Sequence, residues 1–155
     1  MSYRITGLDR EPFAELFDMN DAALAERGAL RVTAAADKGW PCRVSLEDAK
    51  AGEELILLNH LSHDVATPYK SAYAIYVRKA AEKAAEFSDE TPPVFEGRPM
   101  AFRAFDSDGM LRNAALALPG QADEKIRELF AQDEIAYIHA HNAAHGCFSA
   151  RIERV

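Results

Sequence analysis

Cysteine is scarce in this chain: Cys42 and Cys147 are the only two in 155 residues. They show neither the close pairs of a zinc knuckle nor the density of a disulfide-stapled miniature, and a chain of this length can bury a core without covalent help. Reduced thiols are expected, and whether Cys42 and Cys147 meet in space is left open. Long apolar runs are missing as well. The longest run of large aliphatic side chains, Leu55-Ile56-Leu57-Leu58, is far short of the ~18 residues a membrane helix needs, and Met1-Ser2-Tyr3-Arg4 leads into no apolar signal core. A cytoplasmic protein with no membrane partner is expected. Positive charge is in deficit, with 18 Lys and Arg against 25 Asp and Glu, for a net charge of -7. That balance opposes binding to nucleic acid, and no basic patch with interleaved aromatics offsets it. Neither a glycine-rich phosphate loop nor a His-Glu-x-x-His helix is present.

What is present is 48% hydrophobic content, enough for one domain over residues 1–155. Asp9 can cap a first helical turn with Pro12 near its start, where Phe13, Leu16 and Phe17 share a face. Asn20 can cap a second helix over residues 21–27, with Gly28 suited to the left-handed position that ends it. From Leu30 the period becomes two, with Leu30, Val32 and Ala34 on one face. Residues 40–46 read as a short strand with Cys42, Val44 and Leu46 on one side and Arg43 and Ser45 on the other. Ser45 and Asp48 form a capping-box pattern for a helical turn that Gly52 can end. Residues 54–60, apolar on both faces in the middle, predict a central strand. A polar loop with His63 and Asp64 follows over 61–71, then a strand around Tyr73, Ile75 and Val77. Residues 80–87 have strong helix propensity but few large apolar side chains, which predicts a short surface helix or a mobile excursion.

Met100, Phe102 and Ala104 alternate into Asp106-Ser107-Asp108-Gly109, a hairpin signal, and the chain returns over 111–118. The aspartates imitate a calcium loop, but position twelve from Asp106 is Ala117 rather than the glutamate such a loop requires. Residues 121–131 give the clearest helix, with Ile126, Leu129 and Phe130 as its buried stripe.

The chemistry gathers in the final hairpin. Tyr137, His139 and His141 fall on one face of a strand and Ile138 and Ala140 on the other. Pairing His141 with Cys147, His139 with Ser149 and Tyr137 with Arg151 sets apolar against apolar on the opposite face. The expected result is one polar face over a dry one, with His145 in the turn facing solvent. His-x-His on a strand sets two imidazoles ~7 Å apart at the backbone, so His139 and His141 are candidate metal ligands, with a divalent ion such as Zn as a possible cofactor. No cofactor is required by the pattern. The other chemistry is a thiolate at Cys147 assisted by an imidazole, making His139, His141 and Cys147 the candidate catalytic residues. Arg151 would clamp an anionic ligand, beside Ser149 and Tyr137. Cys42 and Arg43 would join them if the strand from Trp40 lies alongside. A solvated hairpin face without function accounts for the same residues.

Several blocks resemble a family of small bacterial proteins, domain of unknown function 1203. They are Tyr3-Arg4-Ile5-Thr6-Gly7-Leu8, Pro41-Cys42-Arg43-Val44-Ser45-Leu46-Glu47-Asp48-Ala49 with Gly52-Glu53, and Thr67-Pro68-Tyr69. Asp106-Ser107-Asp108-Gly109-Met110, His139-Ala140-His141-Asn142 and Gly146-Cys147-Phe148-Ser149-Ala150-Arg151 complete them. The alanine-rich stretch 79–87 departs from the loop that the resemblance implies there. The resemblance implies no activity, so it carries over no catalytic residues.

The expected fold is α+β: a mostly antiparallel sheet of roughly six to eight strands, which could close partly into a barrel, with two N-terminal helices and one helix before the C-terminal hairpin. The expected function is binding of a small anionic molecule, or an enzymatic reaction on one, over the His-x-His hairpin. A non-catalytic structural or protein-interaction domain and a metal-dependent enzyme are the alternatives. The sequence leaves open whether the protein is an enzyme, which ligand it takes and its oligomeric state.

Overall fold

The computed structural model describes all 155 residues. The chain runs β1 (Tyr3–Thr6), α1 (Glu11–Ala14) continuing into a 3-10 turn (Glu15–Asp18), α2 (Asp21–Glu26), β2 (Leu30–Thr33), β3 (Glu54–His63) and β4 (Ser71–Arg78). It continues through β5 (Glu86–Ser88), β6 (Met100–Phe105), β7 (Leu111–Ala117), α3 (Ala122–Phe130), β8 (Tyr137–Asn142) and β9 (Phe148–Arg154). Six strands form one antiparallel sheet in the order β5-β1-β9-β8-β6-β7, and β2-β3-β4 form a second. The class is α+β as expected. The larger sheet has six strands, within the expected six to eight, the separate three-stranded sheet was not anticipated, and neither closes into a barrel.

Local chemistry accounts for most of these elements. Asn20 accepts the Ala23 amide at 2.8 Å to start α2, and Gly28 ends it at φ +68°. The expected Asp9 cap does not form; the residue before α1 is Arg10, with no side-chain cap. Ile126, Leu129 and Phe130 of α3 are buried against Ile138, Ala140, Ala150 and Ile152 of β8 and β9, the dry face of the hairpin. A second core joins Phe13, Leu16, Phe17 and Leu24 to Ile56, Ile75 and Val77 of the smaller sheet. The Asp106 turn joins β6 to β7, and its carboxylate is engaged by the amides of Asp108 and Met110 and by Arg112.

Other expectations fail for identifiable reasons. Leu30 is exposed because β2 is an edge strand. Residues 40–46 form a tight turn instead of a strand: Leu46 donates to the Cys42 carbonyl at 3.1 Å and takes φ +53°. That turn buries Arg43 along with Cys42 and Val44, where alternation had put it on the opposite side. Asp48 starts no helix; its side chain accepts the Trp40 amide and pairs with Arg98. β3 runs three residues past the expected end, so His63 is a buried strand residue rather than part of a polar loop. Residues 80–87 form no helix, because Ala85 bonds to Gly7 and Val44 through its carbonyl and amide, and Glu86–Ser88 pairs with β1. Tertiary pairing overrides local propensity there.

Candidate functional site

The hairpin of β8 and β9 keeps its two faces but not the expected register. Tyr137 pairs with Glu153, His139 with Arg151 and Ala140 with Ala150, a shift of two residues from the apolar-matching pairing, and His141 then pairs with Phe148. A two-residue shift leaves every side chain on its own face, so hydrophobic alternation cannot detect it. Between Ala150 and Phe148, Ser149 has no partner. This bulge turns Phe148 onto the histidine side, where its ring lies 5.1 Å from that of His139 and 5.9 Å from that of His141. Cys147 drops out of the strand into the turn.

The histidine face is covered, not wet. The far end of β3 and the start of β4 lie over it. Nε2 of His63 is 2.8 Å from the Tyr137 hydroxyl, and Nδ1 is 2.8 Å from the Tyr69 carbonyl. Tyr73 sets its ring edge-on to His141 at 4.9 Å and accepts a hydrogen bond from Arg103 at 2.6 Å. His139, only 2% exposed, packs among His63, Phe105, Tyr137 and Phe148 and makes no hydrogen bond. Burial, aided by neighbouring cations, pulls its pKa down to about 3. His141 is pulled down to about 4, mainly by burial, although Nδ1 sits 2.9 Å from the Gly146 carbonyl. Both imidazoles are therefore neutral near pH 7, far from the matched pKa that efficient proton transfer uses. Tyr137 is pushed above its usual range by burial, with Arg151 opposing. Arg151 stacks 3.9 Å over the Tyr137 ring and pairs with Glu153 at 2.7 Å. Its charge already has an acidic partner. No group of three or more His, Cys, Asp or Glu side chains is arranged to hold a metal ion.

Beside the hairpin turn a cleft of about 460 Å³ opens, within the ~300 to 1,000 Å³ range of small-molecule sites. Arg43, Tyr76, Arg98, Asn142, His145 and Cys147 contribute its polar lining, and Pro41, Leu57 and Pro99 are among its apolar walls. Arg43 dominates its electrostatics. The side chain is 2% exposed, yet no carboxylate pairs with it; Nε donates to the Phe148 carbonyl at 2.8 Å and Nη1 to the Pro41 carbonyl at 2.5 Å. Nη2 makes no hydrogen bond. Since no fully buried side-chain nitrogen in the protein lacks a partner, Nη2 is the atom that opens on the cleft. Burial lowers the Arg43 pKa to about 10, with the neighbouring Cys147 acting in the opposite sense, so the guanidinium stays charged. Arg98, by contrast, is neutralised by Asp48 through contacts of 2.7 and 2.8 Å.

The structure thus divides the residues singled out in the sequence. His139, His141, Tyr137 and Arg151 share the packed face with His63. Arg43 and Cys147 share the cleft, with His145 exposed at its rim. Ser149 is buried in the bulge. Cys42 is wholly buried, its sulfur accepting from the amides of Val44, Ser45 and Arg78 at 3.3 to 3.5 Å. Arg98, Tyr76 and Asn142 were not singled out, because no local pattern marks residues that only the packing of β4, the end of β8 and the segment before β6 brings together.

The model of a family described as a protein of unknown function (DUF1203) matches residues 39–154. The chain belongs to this family. The DUF1203 segment contains every residue that lines the cleft and all of the histidine face, while β1, α1, α2 and β2 precede it. No curated protein and no solved structure matches the chain.

Proposed function

We propose that the protein binds a small anionic molecule, a carboxylate or a phosphate ester, in the cleft beside the hairpin turn. The supporting observation is Arg43, a buried guanidinium with no acidic partner and one free nitrogen opening on the cleft. A buried charge without a counter-ion costs several kcal/mol, and a ligand anion offsets that cost through charge-assisted hydrogen bonds. With Arg98 neutralised by Asp48, Arg43 is the unpaired positive charge at the cleft, and the apolar walls suit the rest of a small organic molecule. The site thus lies at the turn of the His-x-His hairpin rather than over its histidines.

Calorimetric titration with inorganic phosphate and a panel of mono- and dicarboxylates tests this reading. At least one should bind with micromolar to millimolar affinity, and Arg43→Gln should weaken it at least tenfold. If no anion binds the wild type, or binding is unchanged in Arg43→Gln, the reading is wrong.

One observation favours a second reading, a non-catalytic structural or interaction domain. The histidines that suggested chemistry are neutral and packed among aromatic rings, which suits a core better than a site.

A further inference from the structure

We propose that Cys147 is a thiolation site for low-molecular-weight disulfides that carry a carboxylate, with Arg43 holding the carboxylate in the cleft. This rests on the anion-binding reading and names the ligand chemistry. The two cysteines are in opposite situations. Cys42 is wholly buried with its sulfur engaged by three amides. Cys147 is partly exposed, lines the cleft, and its sulfur makes one weak contact, 3.9 Å to the His145 carbonyl. Independently, Arg43 brings into the same cleft a buried positive charge with no acidic partner and an unoccupied Nη2.

The pairing suits thiol–disulfide exchange with an anionic partner. The Cys147 thiol loses its proton to solvent, and the thiolate attacks one sulfur of the disulfide. A Cys147–sulfur bond forms, the original sulfur–sulfur bond breaks, and the second half leaves as a thiolate with the electron pair. Cys147 is oxidised to the mixed disulfide while the leaving half is reduced to a thiol, so no further oxidant is needed, and a second small thiol reverses the step. The difficulty for an anionic disulfide is repulsion from the attacking thiolate and from a chain of net charge -7. Arg43 counters both at the point of attack. A protein without this device would react more slowly with an anionic disulfide than with a neutral one, so the sign of the preference is diagnostic.

The test compares stopped-flow rates of the intact protein with the dianion 5,5′-dithiobis(2-nitrobenzoate) and with neutral 4,4′-dithiodipyridine. Each rate is divided by that of N-acetylcysteine amide. The normalised ratio of anionic to neutral reagent should be about tenfold or more in favour of the anion, an advantage of ~1.4 kcal/mol, with the fast phase absent in Cys147→Ser. Arg43→Gln should bring the ratio to one or below. Where that variant does not fold, the wild-type ratio should still fall as sodium chloride rises, because screening weakens the attraction. A normalised ratio of one or below in the wild type, or no reaction at Cys147, overturns the proposal. Anion binding by Cys147→Ser, measured calorimetrically, separates the two failures. If it persists and still depends on Arg43, only the thiolation proposal has failed; if it is absent, the anion site has failed too.

Discussion

His139 and His141 carry a charge-state penalty that should be visible in stability. In the unfolded chain both protonate near the usual ~6.5, whereas in the fold they resist protonation until about 3 and about 4. Above pH 6.5 both states hold neutral imidazole and nothing is lost. Below it the unfolded state binds more protons, so stability falls as pH drops. At pH 5 each contributes a loss of roughly 2 kcal/mol. Urea unfolding between pH 7 and 5 should show this decline, with His60, also lowered by burial, adding in the same direction. His139→Gln should remove about one proton from the slope. A slope unchanged in that variant would mean that the imidazole is not held neutral. At the same scale, Arg43 and Arg151 exchange the roles that sequence alone suggests: the half-buried arginine is paired and the fully buried one is not.

At the scale of elements, the turn over residues 40–46 is what sets the cleft. It is clamped to the N-terminus, where Leu8 donates to the Arg43 carbonyl at 2.7 Å, and to the segment after β4, where Ala85 donates to the Val44 carbonyl at 2.9 Å. Gly7 is required at this junction because a Cβ would overlap the Val44 carbonyl. Gly7→Ala should therefore destabilise by about 1 to 3 kcal/mol through overpacking, and weaken anion binding because the Arg43 turn moves. Denaturation and titration together check this; a neutral effect on both would show that the clamp is soft. The hairpin teaches a related point. Alternation correctly assigned Tyr137, His139 and His141 to one face and Ile138 and Ala140 to the other, since period two follows from the pleat. It could not assign the pairing, which depends on the turn over residues 142–147 and on the bulge at Ser149.

Across the whole molecule, the two sheets share no strand and are joined through side chains and through the backbone of the 40–46 turn, whose Arg43 amide donates to the Tyr76 carbonyl on β4 at 3.0 Å. The His63 to Tyr137 bond links β3 to β8, and Arg43 reaches from the 40–46 turn to the Phe148 carbonyl on β9. Tyr137→Phe removes the first link and leaves a buried imidazole nitrogen without its partner, which should cost about 1 to 3 kcal/mol. Thermal or chemical unfolding should register that loss. No loss would mean that this bond contributes nothing to holding the sheets together.

By itself the sequence determined the α+β class, the helices over α2 and α3, the β6–β7 hairpin and the two faces of the last one. Those features follow from capping, periodicity and turn chemistry, which act within about a dozen neighbouring residues. Only the tertiary structure decided that the histidine face is buried. The cover comes from His63 and Tyr73, well over sixty residues away along the chain, and an alternating strand reads the same whether its polar face meets water or another sheet. The cleft was decided in the same way: burial of Arg43 without an acid, beside Cys147, exists only where the 40–46 turn meets the hairpin.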